Sequence, residues 1–155
     1  MNVGTASTPQ ADAAPVVIDT NLVLDVFLFQ DAGVALLSTA LRAGTITWLA
    51  LPSMRDELAR VLTYPHLAQQ QAQRGVGADA VLAAFDRWAV LQPTPPTAPV
   101  RCRDADDQPF IDLAVATGAT LLSKDKAVLA LARRLAGHGI IVTKIGTWPA
   151  TRPGS

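Results

Sequence analysis

The chain has 155 residues, a formal net charge of zero and an apolar fraction of 50%. This length fits one domain with a sizeable core, and the composition excludes an intrinsically disordered chain. No apolar run reaches the roughly 20 residues that a membrane-spanning helix needs, since Asp25 interrupts the run over residues 22–29. The neutral charge by itself gives no indication of a polyanionic partner.

The N-terminal residues and the cysteine content favour an intracellular protein. Residues 1–14 are polar and alanine-rich, and they lack the basic start and apolar stretch of a secretion signal, so we expect a flexible tail there. The single cysteine, Cys102, has no partner for an internal disulfide or a zinc site, which agrees with a reducing compartment. We therefore expect a cytoplasmic protein without a membrane segment.

Helices and strands alternate along the predicted elements. Residues 16–18 are β-branched and predict a buried strand that ends at Asp19. Further strands are predicted at residues 46–48, 120–122 and 140–142. Helices are predicted at residues 21–29, 32–43, 53–64, 66–74, 78–90, 107–117 and 127–136. The helix that opens at Ser53 begins with a sequence typical of a capping box.

The alternation predicts an α/β fold, a three-layer α/β/α sandwich with a mainly parallel central sheet. Residues 92–99 are rich in proline and cannot form a helix interior. We interpret them as a surface crossing within one domain, because the chain after them is short for a second core. The expected organisation is a tail at residues 1–14, a single domain at 15–148 and a C-terminal tail at 149–155.

Two aspartates follow strands of the predicted sheet. Asp19 comes directly after residues 16–18, and Asp125 lies three residues beyond residues 120–122. In open parallel sheets, binding sites form in the crevice beyond the carboxyl ends of the strands. The alternative for each is that it caps the helix that follows it, because aspartate is a favoured N-cap residue.

Helical periodicity places a third acid near the core. At about 100° per residue, Asp107 shares a stripe with Phe110 and Ile111, whereas Asp112 points away from it. A buried carboxylate without a partner is costly, so metal coordination would account for Asp107, with N-capping as the competing explanation. Pro109 leaves the helix start open by one or two residues, so that Asp104 or Asp106 could take this role instead.

Glu57 is the only glutamate in the chain. It lies at the edge of the apolar stripe of its predicted helix, whereas Asp56 faces outward. The alternative interpretation is a surface salt bridge to Arg60.

Carboxylates are the ligands that hard divalent cations such as Mg²⁺ and Mn²⁺ prefer. Three or four of them around such ions can activate a bound water and orient it towards a phosphodiester. The two histidines, His66 and His138, are isolated in sequence and do not indicate a zinc site.

Four segments together resemble the PIN domain. They are Val-Val-Ile-Asp-Thr-Asn at residues 16–21, Asp-Glu-Leu-Ala-Arg-Val-Leu at 56–62, Cys-Arg-Asp-Ala-Asp-Asp-Gln-Pro-Phe-Ile-Asp-Leu-Ala at 102–114, and Leu-Leu-Ser-Lys-Asp at 121–125. The resemblance covers residues 16–145 and is strongest to the branch that contains toxins of bacterial toxin–antitoxin pairs. Two departures are Ser123, where a threonine is usual, and Pro109.

The resemblance implies a ribonuclease that depends on Mg²⁺ or Mn²⁺. It also implies that Asp19, Glu57, Asp107 and Asp125 hold the metal, and that Asn21 and Ser123 orient them. Asp104 is a further polar neighbour. Members of this branch are commonly homodimers held inactive by an antitoxin, and the predicted helical hairpin at residues 64–90 is our candidate for a partner surface.

Four cations flank the acids in sequence and could contact RNA phosphates: Arg101, Arg103, Lys124 and Lys126. The alternative is that they are solvated or balance nearby aspartates. Two other functions remain open. One is a binding module with a degenerate carboxylate site, and the other is a phosphotransfer enzyme, which lacks support because no second aspartate lies two residues after Asp19.

Overall fold

The computed structural model describes residues 13–145. The predicted C-terminal tail lies outside the described residues, and so does the N-terminal tail except for its last two positions. Five strands form one sheet: β1 (Ala14–Ile18), β2 (Ile46–Ala50), β3 (Ala89–Leu91), β4 (Thr120–Leu122) and β5 (Val142–Thr143). Their order is β3-β2-β1-β4-β5, and all four pairings are parallel. The predicted α/β fold with a parallel sheet is therefore confirmed.

Eight α-helices surround the sheet in the part of the chain that the structure describes. They are α1 (Thr20–Leu24), α2 (Ala35–Ala43), α3 (Pro52–Val61), α4 (Pro65–Arg74), α5 (Ala78–Trp88), α6 (Gln108–Thr117), α7 (Lys126–Leu129) and α8 (Ala132–Ala136). A π-helical turn, Asp25–Phe29, continues α1, and short 3-10 turns precede α2 and α6.

No single helix within residues 13–145 has the length and apolar composition to span a bilayer. Two consecutive helical segments, Thr20–Phe29 and Ala32–Ala43, reach that length and composition only when they are counted together. The chain bends by 114° between them.

The strand order creates a switch point between β1 and β4. From β1 the chain moves outward to β2 and β3, then returns to the other side of β1 to form β4 and β5. Crossovers between parallel strands are right-handed, so the helices of the two halves cover opposite faces of the sheet. A crevice therefore opens beyond the carboxyl ends of β1 and β4, where ligands bind in sheets of this type.

Aromatic packing ties the π-helical turn and α5 to the centre of the sheet. Trp48 of β2 is 1% exposed. It stacks on Phe27 with ring centroids 5.9 Å apart and meets the edge of Phe85 at 5.0 Å. Such offset and edge-to-face pairs stabilise beyond the area that they bury.

Several predicted element bounds are wrong. The helix predicted at residues 53–64 ends at Val61, and the helix predicted at residues 21–29 is α1 followed by the π-helical turn. Helix α5 ends at Trp88 instead of continuing to residue 90, because Ala89–Leu91 pairs with β2 as an edge strand. The helix predicted at residues 127–136 is broken into α7 and α8. The last strand is Val142–Thr143, which begins two residues and ends one residue later than predicted, and Ile140 is instead a core residue.

The capping box predicted at Ser53 is also wrong. Helix α3 begins one residue earlier, at Pro52, and Leu51 is its N-cap residue. Proline suits this first position because its missing N–H would have no partner within the helix. Ser53 therefore lies inside the first turn, where its side chain is exposed.

A buried glutamine fastens the crossing that precedes α6. Gln108 is 7% exposed, and its Oε1 accepts a hydrogen bond from the Cys102 N–H at 2.6 Å. Its Nε2 donates to the Val100 carbonyl at 3.0 Å and to Asp112 Oδ1 at 2.8 Å. The same Asp112 oxygen accepts from the Ala98 N–H at 2.8 Å. The side chains of one helix thus hold the backbone of residues 98–102 against the core.

We expect Gln108→Leu to lower the free energy of unfolding by about 2–4 kcal/mol, because the backbone groups of Val100 and Cys102 would lose their partner. Urea unfolding measures the change. The control is Gln73→Leu, since Gln73 is exposed and surface substitutions usually change stability by less than about 0.5 kcal/mol. Equal stability of the two variants would contradict this role of Gln108.

Candidate metal and nucleic-acid site

Asp19 is fixed at the carboxyl end of β1. Its backbone N–H donates to the Leu122 carbonyl of β4 at 3.1 Å. Its Oδ1 accepts from the Leu22 N–H at 3.0 Å, which caps α1, and its Oδ2 accepts from the Ser123 hydroxyl. The residue is only 4% exposed, and this burial raises the pKa of Asp19 while the two hydrogen bonds partly oppose the rise.

Ser123 connects Asp19 with Asp125. The fully buried Ser123 hydroxyl donates to Asp19 and accepts from the Asp125 N–H at 3.0 Å. Asp125 Oδ1 in turn accepts from the backbone N–H groups of Ala127 and Val128, at 2.8 and 3.3 Å. Both aspartates therefore cap helices, as the alternative interpretation expected. Each uses Oδ1 for that purpose, so capping does not exclude a second role for the carboxylate.

Glu57 is joined to the same end of the sheet through Thr20. The Thr20 hydroxyl donates to Glu57 Oε1 at 2.7 Å, which links α3 to the residue that follows Asp19. Among the described residues, Glu57 and Arg60 do not form a salt bridge, although the charge of Glu57 contributes to the raised pKa of Arg60. Thr20 therefore positions the Glu57 carboxylate.

Asp107 lies in the least favourable environment of the four acids. Its Oδ2 is buried and has no hydrogen-bond partner. Burial and, to a smaller extent, the charges of nearby acids together raise the pKa of Asp107 from 3.8 to about 7. In order of effect these acids are Asp125, Asp104, Asp19 and Glu57. The four predicted metal ligands are thus electrostatic neighbours in the folded chain.

Asp104 and Asp106 differ from Asp107 in exposure. Both are exposed, and Asp104 Oδ1 accepts from the Asp106 N–H at 3.0 Å to cap the 3-10 turn Ala105–Asp107. Asp107 ends that turn and carries a buried carboxylate oxygen. Of the three aspartates that the sequence left as alternatives, Asp107 is therefore the one directed inward.

A wide groove of about 820 Å³ opens beside the acids, and we call it the large groove. Its lining residues include Asn21, Arg103, Asp104, Lys124, Asp125 and Lys126. Lys124 Nζ forms an ion pair with Asp25 at 2.7 Å, which matches the alternative that this lysine balances an aspartate, although its side chain stays 51% exposed. Arg101 is exposed outside this lining set.

The carboxylates lie near one another but do not form a complete set of metal ligands. Within residues 13–145, no group of three or more His, Cys, Asp or Glu side chains has the arrangement of a finished metal site. The donors nevertheless suit a hard cation, because all of them are oxygens and one, Asp107 Oδ2, is buried without a partner. The chemistry of these donors therefore fits a divalent cation, although no three of the acidic side chains within residues 13–145 are arranged to hold one.

The PIN domain family matches residues 15–127, which include all four acids. The chain belongs to the PIN domain family. PIN domains are generally nucleases that act on nucleic acids and typically use divalent metals, so the predicted nuclease class is confirmed at the level of the family. No curated protein is similar enough in sequence to count as a relative.

Three residues that support the candidate site or the chain leading to it were not recognised in the sequence. Thr20 was signalled by its place next to Asp19. Asp25 was signalled because it interrupts an apolar run, and it is the 8%-exposed partner of Lys124. Gln108 had no local signal, because its partners lie in the preceding crossing and only the folded chain shows them.

The raised pKa of Asp107 predicts how the metal-free protein responds to pH. In the unfolded chain Asp107 ionises near 3.8, whereas in the folded chain it keeps its proton up to about 7. The contribution of Asp107 to the free energy of unfolding is therefore most favourable below about pH 4, and it is lost as the pH rises towards 7. Asp107→Asn should flatten this dependence, leaving the contribution of Asp19.

Thermal unfolding in the presence of a chelator, at about pH 5 and about pH 7.5, measures this effect. Asp106→Asn is the matched control, since it removes an exposed acid from the same turn and should keep the wild-type dependence. A pH response of the Asp107 variant that equals that of the wild type would contradict the assignment.

Proposed function

We propose that the chain is an endoribonuclease that depends on Mg²⁺ or Mn²⁺. In this proposal the metal is held by Asp19, Glu57, Asp107 and Asp125. The observation that carries it is the buried Asp107 Oδ2, which has no hydrogen-bond partner and lies among four other acids whose charges raise its pKa. A cation would give this oxygen a partner and neutralise the repulsion.

Each side chain would contribute in a definite way. Ser123 holds Asp19 and Asp125 together, and Thr20 holds Glu57, so that fewer carboxylate rotamers must be ordered on binding. Asn21 lies exposed beside them and offers a polar contact to substrate. When bound, a divalent cation supplies the positive charge that lowers the pKa of a water and neutralises a phosphodiester.

The cations of the large groove support binding of a polyanion. Arg103 and Lys126 line it with Lys124, and Arg101 lies nearby in the chain. In the proposal these four residues contact the RNA backbone, so that binding is salt-dependent and insensitive to sequence. Lys124 contributes while remaining paired with Asp25, since half of its side chain is exposed.

Asp19→Asn and Asp125→Asn should each reduce Mn²⁺-dependent RNA cleavage at least about 100-fold, since even second-sphere changes at metal sites cost about 10–100-fold. Asparagine is also a good N-cap residue, so both variants should keep their helix caps and their fold. Asp31→Asn is the matched control, because Asp31 is an exposed N-cap aspartate that lines a depression containing none of the four acids. Cleavage that survives in both variants would reject the proposal.

Calorimetry separates this proposal from the alternative of a catalytically degenerate binding module. An enzyme of the proposed type binds Mn²⁺ with measurable heat, and the heat is lost in Asp19→Asn. A degenerate module gives no such heat and no response to the substitutions. The neutral net charge of the chain is the observation that favours the alternative.

We further propose that the chain is the toxin of a type II toxin–antitoxin pair, which acts on cytoplasmic RNA as a homodimer. The resemblance of its motifs to that branch of PIN domains supports this proposal. The protein encoded beside this gene should then copurify with the chain and inhibit its cleavage of RNA. Light scattering tests the dimer, for which helices α4 and α5 are the candidate surface. A monomeric chain whose cleavage the neighbouring protein leaves unchanged would contradict both statements.

A further inference from the structure

A second pocket opens next to the acids. It has a volume of about 180 Å³, and its lining residues include Ser53, Glu57, Arg60, Ala105, Asp106 and Pro109. We call it the Arg60 pocket. Ala105 lines both this pocket and the large groove, so the two are separated by the 3-10 turn Ala105–Asp107. One surface depression thus lies on each side of that turn.

Each depression adjoins one of the four acids. Glu57 lines the Arg60 pocket and Asp125 lines the large groove, and the charges of both raise the pKa of Asp107. A phosphodiester held at these acids would have one depression on either side. Because an endonuclease cuts inside a chain, its substrate must continue in both directions from the cut.

Arg60 is the cation that lines the second pocket. It is exposed at the surface of α3, and a hydrogen bond with the Tyr64 hydroxyl, followed by the charges of Glu57 and Asp106, raises the pKa of its guanidinium. Within residues 13–145 no salt bridge engages it, whereas Arg55, one turn earlier on the same helix, is paired with Asp86 at 2.7 Å. A guanidinium that forms no salt bridge keeps N–H donors with which it can bind a phosphate through two parallel hydrogen bonds.

Tyr64 adds an aromatic surface next to Arg60. It precedes α4, one helical turn beyond Arg60, and it is 43% exposed. Exposed aromatic rings stack on the bases of single-stranded nucleic acids without sequence preference. A guanidinium beside an exposed ring is therefore suited to a nucleotide, with its phosphate on Arg60 and its base on Tyr64.

We propose that the Arg60 pocket is a second substrate subsite, which binds a nucleotide on the opposite side of the scissile phosphate from the large groove. The proposal rests on the endoribonuclease function proposed above and adds to it the path of the RNA. The strand crosses the turn Ala105–Asp107 and is held at both ends, by Arg60 on one side and by Arg103 and Lys126 on the other.

The test uses oligoribonucleotides with one mapped cleavage site, of three kinds: extended on both sides of the cut, truncated on the 5′ side, and truncated on the 3′ side. Steady-state cleavage in Mn²⁺ is measured for the wild type, Arg60→Ala, Arg60→Lys, Tyr64→Ala and Lys126→Ala. Arg42→Ala is the control, because Arg42 is an exposed arginine that lines a different depression.

We expect Arg60→Ala to raise KM roughly 10- to 100-fold on substrates that extend to one side of the cut, as loss of a charged hydrogen bond implies. The variant should equal the wild type on substrates truncated on that side, and Lys126→Ala should show the opposite dependence. Arg60→Lys should recover part of the loss because it keeps the charge. Tyr64→Ala should raise KM on the same substrates as Arg60→Ala does. Arg42→Ala should have the KM of the wild type.

Two results would overturn the subsite while leaving the nuclease proposal intact. One is that Arg60→Ala cleaves every substrate as the wild type does. The other is an equal loss on all three kinds of substrate, which would mean that Arg60 acts at the acids themselves. Absence of any RNA cleavage by the wild type would instead overturn the endoribonuclease proposal and the subsite with it.

Discussion

Ile18 pairs with Leu122 in the parallel register between β1 and β4, so the residues after the two strands leave the sheet at the same edge. Asp19 then follows one strand and Ser123 the other, and the Ser123 hydroxyl joins Asp19 to the backbone of Asp125. This contact spans 104 residues of sequence. The acidic site depends on it, because Glu57 and Asp107 are arranged around an end of the sheet that this register defines.

Gathering carboxylates in one place is unfavourable in the absence of a cation. Asp107 has a buried oxygen with no partner, and four neighbouring charges oppose its ionisation. Buried polar atoms without partners and strongly shifted pKa values are found mainly at functional sites. The surrounding positive charge limits the repulsion: Lys124 is paired with Asp25, and Arg60 lies close to Glu57 and Asp106. A chain with no net charge can therefore hold a strongly acidic site flanked by basic surfaces.

The crossing before α6 connects stability with the site. Gln108 and Asp112 hold the backbone of residues 98–102, and the chain continues from there into Arg103 and Asp104 at the large groove. The 3-10 turn that follows ends in Asp107 and separates the groove from the Arg60 pocket. A few buried hydrogen bonds thus determine where a basic residue and a metal-ligand candidate stand relative to each other.

Periodicity and composition by themselves determined the α/β class and most of the helices, because those features depend on local burial patterns that repeat along the chain. They indicated an inward acid near residue 107 but left Asp104 and Asp106 as alternatives to Asp107. Tertiary structure decided the rest. Ala89–Leu91 became an edge strand because β2 offers it a partner, although the sequence continues the helical pattern to residue 90. The partners of Thr20 and Lys124 also come from distant segments. Local sequence rules cannot predict such contacts, because the two segments meet only when the sheet forms.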